Sequence, residues 1–199
     1  LGTVSQAFAG SRPGSASAKM AGLVEPSVVG SHPSVSDDGR WIVYEGEPTD
    51  GSERTRTIWL RDASQFGAPE VELSPLRDDV VIGDSVRPTI SGDGCVVAFV
   101  TEMAYDLFRD DDTGSRWDVY RQQLPACGGT LGDLELVSVS GSGFDVAAAD
   151  NVVPTDRPAV SGDGTMVAYT HEFGPSAAGV TGVTVVDLTV AAGDSGRAR

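Results

Sequence analysis

The chain has 199 residues, of which 40% are hydrophobic and 22% charged, and carries a formal net charge of −15. This length accommodates one sizeable core or a row of small repeated units, and the composition is that of an ordinary globular protein. The acidic balance argues against a nucleic-acid partner, because a phosphate backbone is repelled by such a field, and no run approaches the about eighteen consecutive apolar residues of a membrane span. Basic proteins and cations stay open as partners; the plainer alternative is that the charge keeps a β-rich chain in solution.

Leu1–Gly10 shows neither a basic start nor an apolar core, so no signal peptide is expected, and the missing initiator Met fits a mature or excised form. Thr3-Val4-Ser5 reads as a short strand, and the Ser/Ala/Gly-rich stretch Ala7–Lys19 as a loop. A first hairpin follows, Pro33–Ser36 and Trp41–Glu45 across Asp37-Asp38-Gly39, then a strand at Thr57–Asp62 and an alternating edge-type strand at Val71–Ser74. The order repeats with strands at Pro88–Ser91, Cys95–Thr101, Asp118–Gln122 and Leu134–Ser140. It begins a third time with Pro158–Ser161, Thr165–His171 and Val183–Leu188. No segment has convincing helical periodicity, so the chain is expected to be all-β.

The repeated stretch is a basic residue, Pro, a short apolar run, Ser-x-Asp-Gly, and four or five mostly apolar residues ending in an aromatic. It runs from His32 to Tyr44, from Arg87 to Phe99 and from Arg157 to Tyr169. Asp-Gly between two β-rich runs is a strong hairpin signal, because Gly tolerates positive φ and Asp bonds the local backbone. The second strand of each hairpin is apolar at consecutive positions: Trp41-Ile42-Val43-Tyr44, Val96-Val97-Ala98-Phe99 and Met166-Val167-Ala168-Tyr169. A sheet with one wet face would alternate instead. Strands apolar on both faces need neighbours above and below, which stacked four-stranded blades supply, so pattern and repeat indicate a β-propeller. A β-sandwich is the alternative, but it does not require the same hairpin three times.

The pattern Pro-x-apolar-Ser-x-Asp-Gly, an apolar strand ending in Phe or Tyr, a loop and a further apolar-aromatic strand resembles the TolB-type, WD40-like propeller repeat over roughly residues 32–188. The resemblance implies three antiparallel four-stranded blades, an incomplete propeller or arc. Residues 32–75 and 76–141 would form the first two, and 142–190 a third without its outer strand. Residues 1–31 would hold the outer strand of a preceding blade and a loop, with 191–199 as a tail. Such an arc is expected to continue into further blades or to join a second copy, because open blade faces and an unpaired edge invite association. The family often has Asp just before its third strand; Asp118 fits, while Thr57 and Thr184 are read here as its counterparts. The resemblance implies a non-catalytic extracytoplasmic module for protein–protein contacts. The alternatives are an accessory or gating domain of a larger peptidase-type hydrolase, and a calcium-stabilised structural repeat of a surface assembly.

Several residues carry chemistry worth weighing. His32, Arg87 and Arg157 occupy one position of the repeat, just before the innermost strand that lines a propeller's channel. There they either receive an acidic peptide or ligand, or pair with the blades' own carboxylates. Asp110, Asp111 and Asp112, with Asp106 and Asp118 nearby, could gather oxygen ligands for Ca²⁺. Gly114 falls in a ligand slot of the EF-hand template, so a solvated acidic loop is the alternative. No other cofactor is indicated. Gly83-Asp84-Ser85 looks like the nucleophile block of a lipase-type hydrolase, but His32 and His171 belong to the repeat pattern, so it reads as connector. Gly193-Asp194-Ser195-Gly196 is similar to a protease nucleophile motif by coincidence. Trp41, Trp59 and Trp117 read as core or rim packing. Cys95 opens the second strand of its unit and Cys127 follows the third; these antiparallel neighbours would bring the sulfurs together as a disulfide, which implies an oxidising compartment.

Overall fold

A computed structural model describes residues 30–65, 67–75, 83–103, 117–127, 129–138, 151–152, 156–172 and 181–190. Strands β1 (Gly30–Val35), β2 (Trp41–Gly46), β3 (Thr57–Asp62) and β4 (Val71–Glu72) form one antiparallel sheet in that order. Strands β5 (Ser85–Ile90), β6 (Val96–Thr101), β7 (Asp118–Gln123) and β8 (Leu134–Leu136) form a second with the same topology. In the third sheet, β9 (Asn151–Val152) and β10 (Ala159–Val160) share one edge of β11 (Met166–Glu172), and β12 (Thr181–Asp187) takes the other. The fold is all-β; the described residues contain no α-helix, only a 3-10 turn at Pro125–Cys127.

The Ser-x-Asp-Gly box explains why the hairpins recur. In each, the Ser hydroxyl donates to the Asp carboxylate: Ser36 to Asp38 at 2.6 Å, Ser91 to Asp93 at 2.6 Å and Ser161 to Asp163 at 2.7 Å. The same hydroxyl accepts the amide five residues on, from Trp41, Val96 and Met166, and the Asp accepts the amide two residues on, from Arg40, Cys95 and Thr165. The closing Gly has φ of 71°, 74° and 69° in the three turns, a conformation that suits Gly alone without strain. The Ser161 hydroxyl, with the Thr165 amide and hydroxyl, holds the Asp163 carboxyl at about 2, below its ordinary 3.8. A depressed carboxylate contributes stability that is present above its ordinary pKa and lost as pH falls through the folded value.

The central sheet is apolar on both faces because it is covered on both. Val97 and Phe99 of β6 pack with Val43, Ile58 and Leu60 of the first sheet. Ala98 and Val100 pack with Val167, Tyr169 and Val186 of the third. Each large side chain buried in this way contributes about 1.5–3 kcal/mol. The boxes touch as well: the Asp37 amide donates to the Gly92 carbonyl, and the Asp93 amide to the Gly162 carbonyl, both at 2.8 Å.

The inner strands start earlier than the sequence pattern suggests. β1 and β5 begin three residues before Pro33 and Pro88, and Ser85, read as connector, opens β5. The third-strand counterpart of Asp118 and Thr57 is also corrected. Thr101 pairs with Asp118, Gly46 with Thr57 and His171 with Gly182, so Gly182 and not Thr184 holds that place.

Candidate functional site

The inner strands are irregular at one repeated point. Ser31 pairs with Glu45 and Ser34 with Val43, leaving two residues, His32 and Pro33, opposite Tyr44. Val86 pairs with Val100 and Thr89 with Ala98, leaving Arg87 and Pro88 opposite Phe99. These are β-bulges, which re-aim a side chain locally. His32 and Arg87 sit there with φ of 51° and 57°. That conformation is uncommon for a side-chain-bearing residue and further disfavoured before Pro, so the surrounding structure must hold it.

The holding group is Glu45. Its carboxylate is buried, at 2% exposure, and so must be satisfied locally. One oxygen accepts the Arg87 amide at 2.7 Å and lies 3.0 Å from His32 Nδ1; the other accepts the Ser31 hydroxyl at 3.3 Å. A single acid of the first sheet therefore fixes the bulges of two sheets. In the third sheet, six residues lie in sequence between Val152, paired with His171, and Ala159, paired with Ala168; at the equivalent pairings three residues lie between Gly30 and Ser34 and between Ser85 and Thr89. Arg157 belongs to this longer excursion, and its guanidinium reaches across to donate to the Pro33 carbonyl at 3.2 Å. His32 and Arg87 lie inside β1 and β5 and Arg157 just before β10, and the three are not equivalent. His32 is paired with Glu45, whereas the Arg87 and Arg157 guanidinium groups have no carboxylate partner among the described residues.

Ser85, Asp84 and Asp118 make structural contacts in this arrangement. The Ser85 hydroxyl is buried and donates to Thr101 Oγ1 at 2.9 Å. Neighbouring Asp84 accepts the amides of Thr55 (2.7 Å) and Arg56 (3.0 Å), the Thr55 hydroxyl and the Arg56 guanidinium, and so clasps the first sheet's loop to the second sheet. Burial pushes its carboxyl up, but these bonds outweigh burial and hold it below the ordinary carboxylate value. Asp118 accepts the Ser138 hydroxyl at 2.6 Å, matching the contact of Thr57 with Ser74 at 2.8 Å in the first sheet. Asp106, Asp110, Asp111, Asp112, Gly114, Thr3–Ser5 and Gly193–Gly196 lie outside the described residues. Cys95 and Cys127 are disulfide-bonded, with Cα atoms 5.3 Å apart. Trp59 is buried and donates to the Glu47 carbonyl, Trp41 packs on the first core cluster beneath Arg40, and Trp117 packs on the second.

Sequence reasoning missed Arg54. Its side chain is fully buried and donates to Asp50, Glu72, Thr57 and the Ser74 carbonyl, with the Met103 sulfur, just past β6, 3.9 Å away. No periodicity marks the loop that carries it, and nothing in Ser52-Glu53-Arg54-Thr55-Arg56 sets Arg54 apart from exposed Arg56.

No protein-family model and no curated protein matches the sequence. Among solved structures, a putative TolB from Agrobacterium tumefaciens is 18% identical over 89% of this chain and 50% of that one, with a TM-score of 0.50. TolB from Acinetobacter baumannii is 21% identical over 82% of this chain and 31% of that one, at a TM-score of 0.47. A structure of prolyl endopeptidases is 18% identical over 80% and 20%, at 0.45. The chain spans half or less of the length of each. With the sheet order above, the first of these likenesses shows the fold: these sheets are blades of a TolB-like β-propeller. No helix among the described residues is long and apolar enough to cross a membrane.

Proposed function

We propose that this propeller segment is a non-catalytic binding module that engages protein partners through the inner ends of its blades, in an extracytoplasmic compartment. The observation that carries the reading is the repeated bulge, where two blades hold a basic residue before Pro in a left-handed conformation around one buried carboxylate. Strain maintained twice at the same position of a repeat supports a functional role for this surface. The disulfide supports the compartment, since such bonds persist under oxidising conditions. The buried bond of Ser85 to Thr101 supports binding over hydrolysis at that serine.

The test is to incubate the purified chain with a mixed-sequence peptide library and to analyse retained and unbound fractions by mass spectrometry. Retention of a subset of peptides with unchanged masses is the expected result. Cleavage of peptides by the pure chain, or no retention of any peptide, overturns the reading.

A further inference from the structure

Resting on the binding-module reading, we propose that Arg87 and Arg157 together receive the carboxylates of an acidic peptide segment of a protein partner. The described residues contain seven arginines, and five of them are ion-paired: Arg40 with Asp62, Arg54 with Asp50 and Glu72, Arg56 with Asp84, Arg61 with Glu70, and Arg121 with Glu135. Arg87 and Arg157, which stand at the same place in the sequence repeat, have no carboxylate partner among the described residues. In a chain of net charge −15, acids outnumber bases 29 to 14, so an arginine without a carboxylate is the exception.

The two side chains are held ready in different ways. At Arg87, a half-buried residue, the amide is taken by Glu45 and the backbone is fixed in its bulge, while the guanidinium keeps its donors uncommitted among the described residues. At Arg157, one guanidinium nitrogen is anchored on the Pro33 carbonyl, which aims an exposed fork with further N–H groups at the inner strands. Pre-ordering of this kind lowers the cost of binding. A guanidinium matches a carboxylate with two parallel hydrogen bonds, a geometry that an ammonium does not reproduce. A nucleic acid would bring a long line of negative charge into the field of the whole protein, whereas a short acidic segment brings only the charges the two arginines can meet.

Fluorescence anisotropy with labelled peptides tests the assignment: one alternating Glu and Gly, its Gln–Gly equivalent and its Lys–Gly equivalent. The Glu–Gly peptide should bind at least about tenfold more tightly than the Gln–Gly peptide. Arg87→Gln with Arg157→Gln should abolish that preference, and Arg40→Gln, which removes a surface pair elsewhere, should keep it. The charge-reversed Arg87→Glu, Arg157→Glu chain should prefer the Lys–Gly peptide. Circular dichroism checks that each variant folds. If the double Gln variant does not fold, Arg87→Lys with Arg157→Lys supplies the readout: reduced but surviving preference supports the assignment, and unchanged affinity overturns it. Equal binding of Glu–Gly and Gln–Gly peptides overturns the acidic-ligand assignment while leaving a binding module in place. Failure to bind these peptides or any member of the mixed library overturns both.

Discussion

Between the first and second blades, an apolar cluster of Val43, Ile58 and Leu60 against Val97 and Phe99 is joined by polar groups that cross over and seize backbone: Asp84 holds the Thr55 and Arg56 amides, Glu45 holds the Arg87 amide, and the Ser34 hydroxyl accepts the Ile90 amide. Between the second and third, the described residues meet through an apolar face, Val86, Ala98, Val100 and Val119 against Val167, Tyr169 and Val186, with one turn-to-turn bond from Asp93 to Gly162. The same hairpin and the same box serve both junctions. The blade repeat therefore specifies the sheets and much of their contact, and Glu45 and Asp84, which lie outside it, add polar links at the first junction. A polar junction carries directional, pH-sensitive contacts and can position a bulge; an apolar one supplies area without direction.

The largest effect is expected within the first blade, at Arg54. Arg54→Met leaves Asp50 and Glu72 without their shared cation and should cost about 3–5 kcal/mol, measured by urea denaturation. A loss below about 1 kcal/mol would mean that the carboxylates are satisfied by water instead. The disulfide acts within the second blade and not between blades. Replacing Cys95 and Cys127 by Ser opens a crosslink spanning 32 residues and should cost about 3–4 kcal/mol. The backbone bond from the Leu124 amide to the Cys95 carbonyl has counterparts at Ala63–Arg40 and Leu188–Thr165, where no disulfide exists, so the blade should keep its register without the crosslink. Hydrogen exchange of β7 would show this.

The strands expected between Pro33 and Leu188 and the Cys95–Cys127 pair were legible because they follow from local signals: Asp-Gly turns, continuous apolar runs, and neighbouring strands whose ends meet. The inner strands were cut three residues short, because His32-Pro33 and Arg87-Pro88 look like strand starts when they sit inside bulges. Gly182 was invisible as the counterpart of Asp118, since only the pairing register reveals it. Arg54, Glu45 and Asp84 could not be found from the pattern. Their partners lie up to 49, 42 and 29 residues away in sequence, and a single charge carries no periodicity.

Val119→Ala tests the apolar junction and should cost about 2 kcal/mol through lost burial and the cavity left behind. Because no charge is involved, the loss should be the same at neutral pH and at pH 4, which parallel thermal melts would check. Asp84→Asn tests the polar junction. It should cost about 1.5–2 kcal/mol near neutral pH, with less lost as pH falls. The sign follows from its lowered carboxyl pKa: the native contribution is full above the ordinary value of 3.8 and disappears as the folded group is protonated. Wild-type and variant curves should therefore converge in acid; a constant gap would place the effect in packing.

The claim that the inner-strand bulges are where a partner binds is tested most directly by hydrogen–deuterium exchange of the chain with and without the Glu–Gly peptide. Slower exchange at residues 31–34 and 86–89 when peptide is present, with β12 and the box turns unchanged, is the predicted result. Protection confined to β12 or to the box turns, with the bulges unaffected, would contradict it.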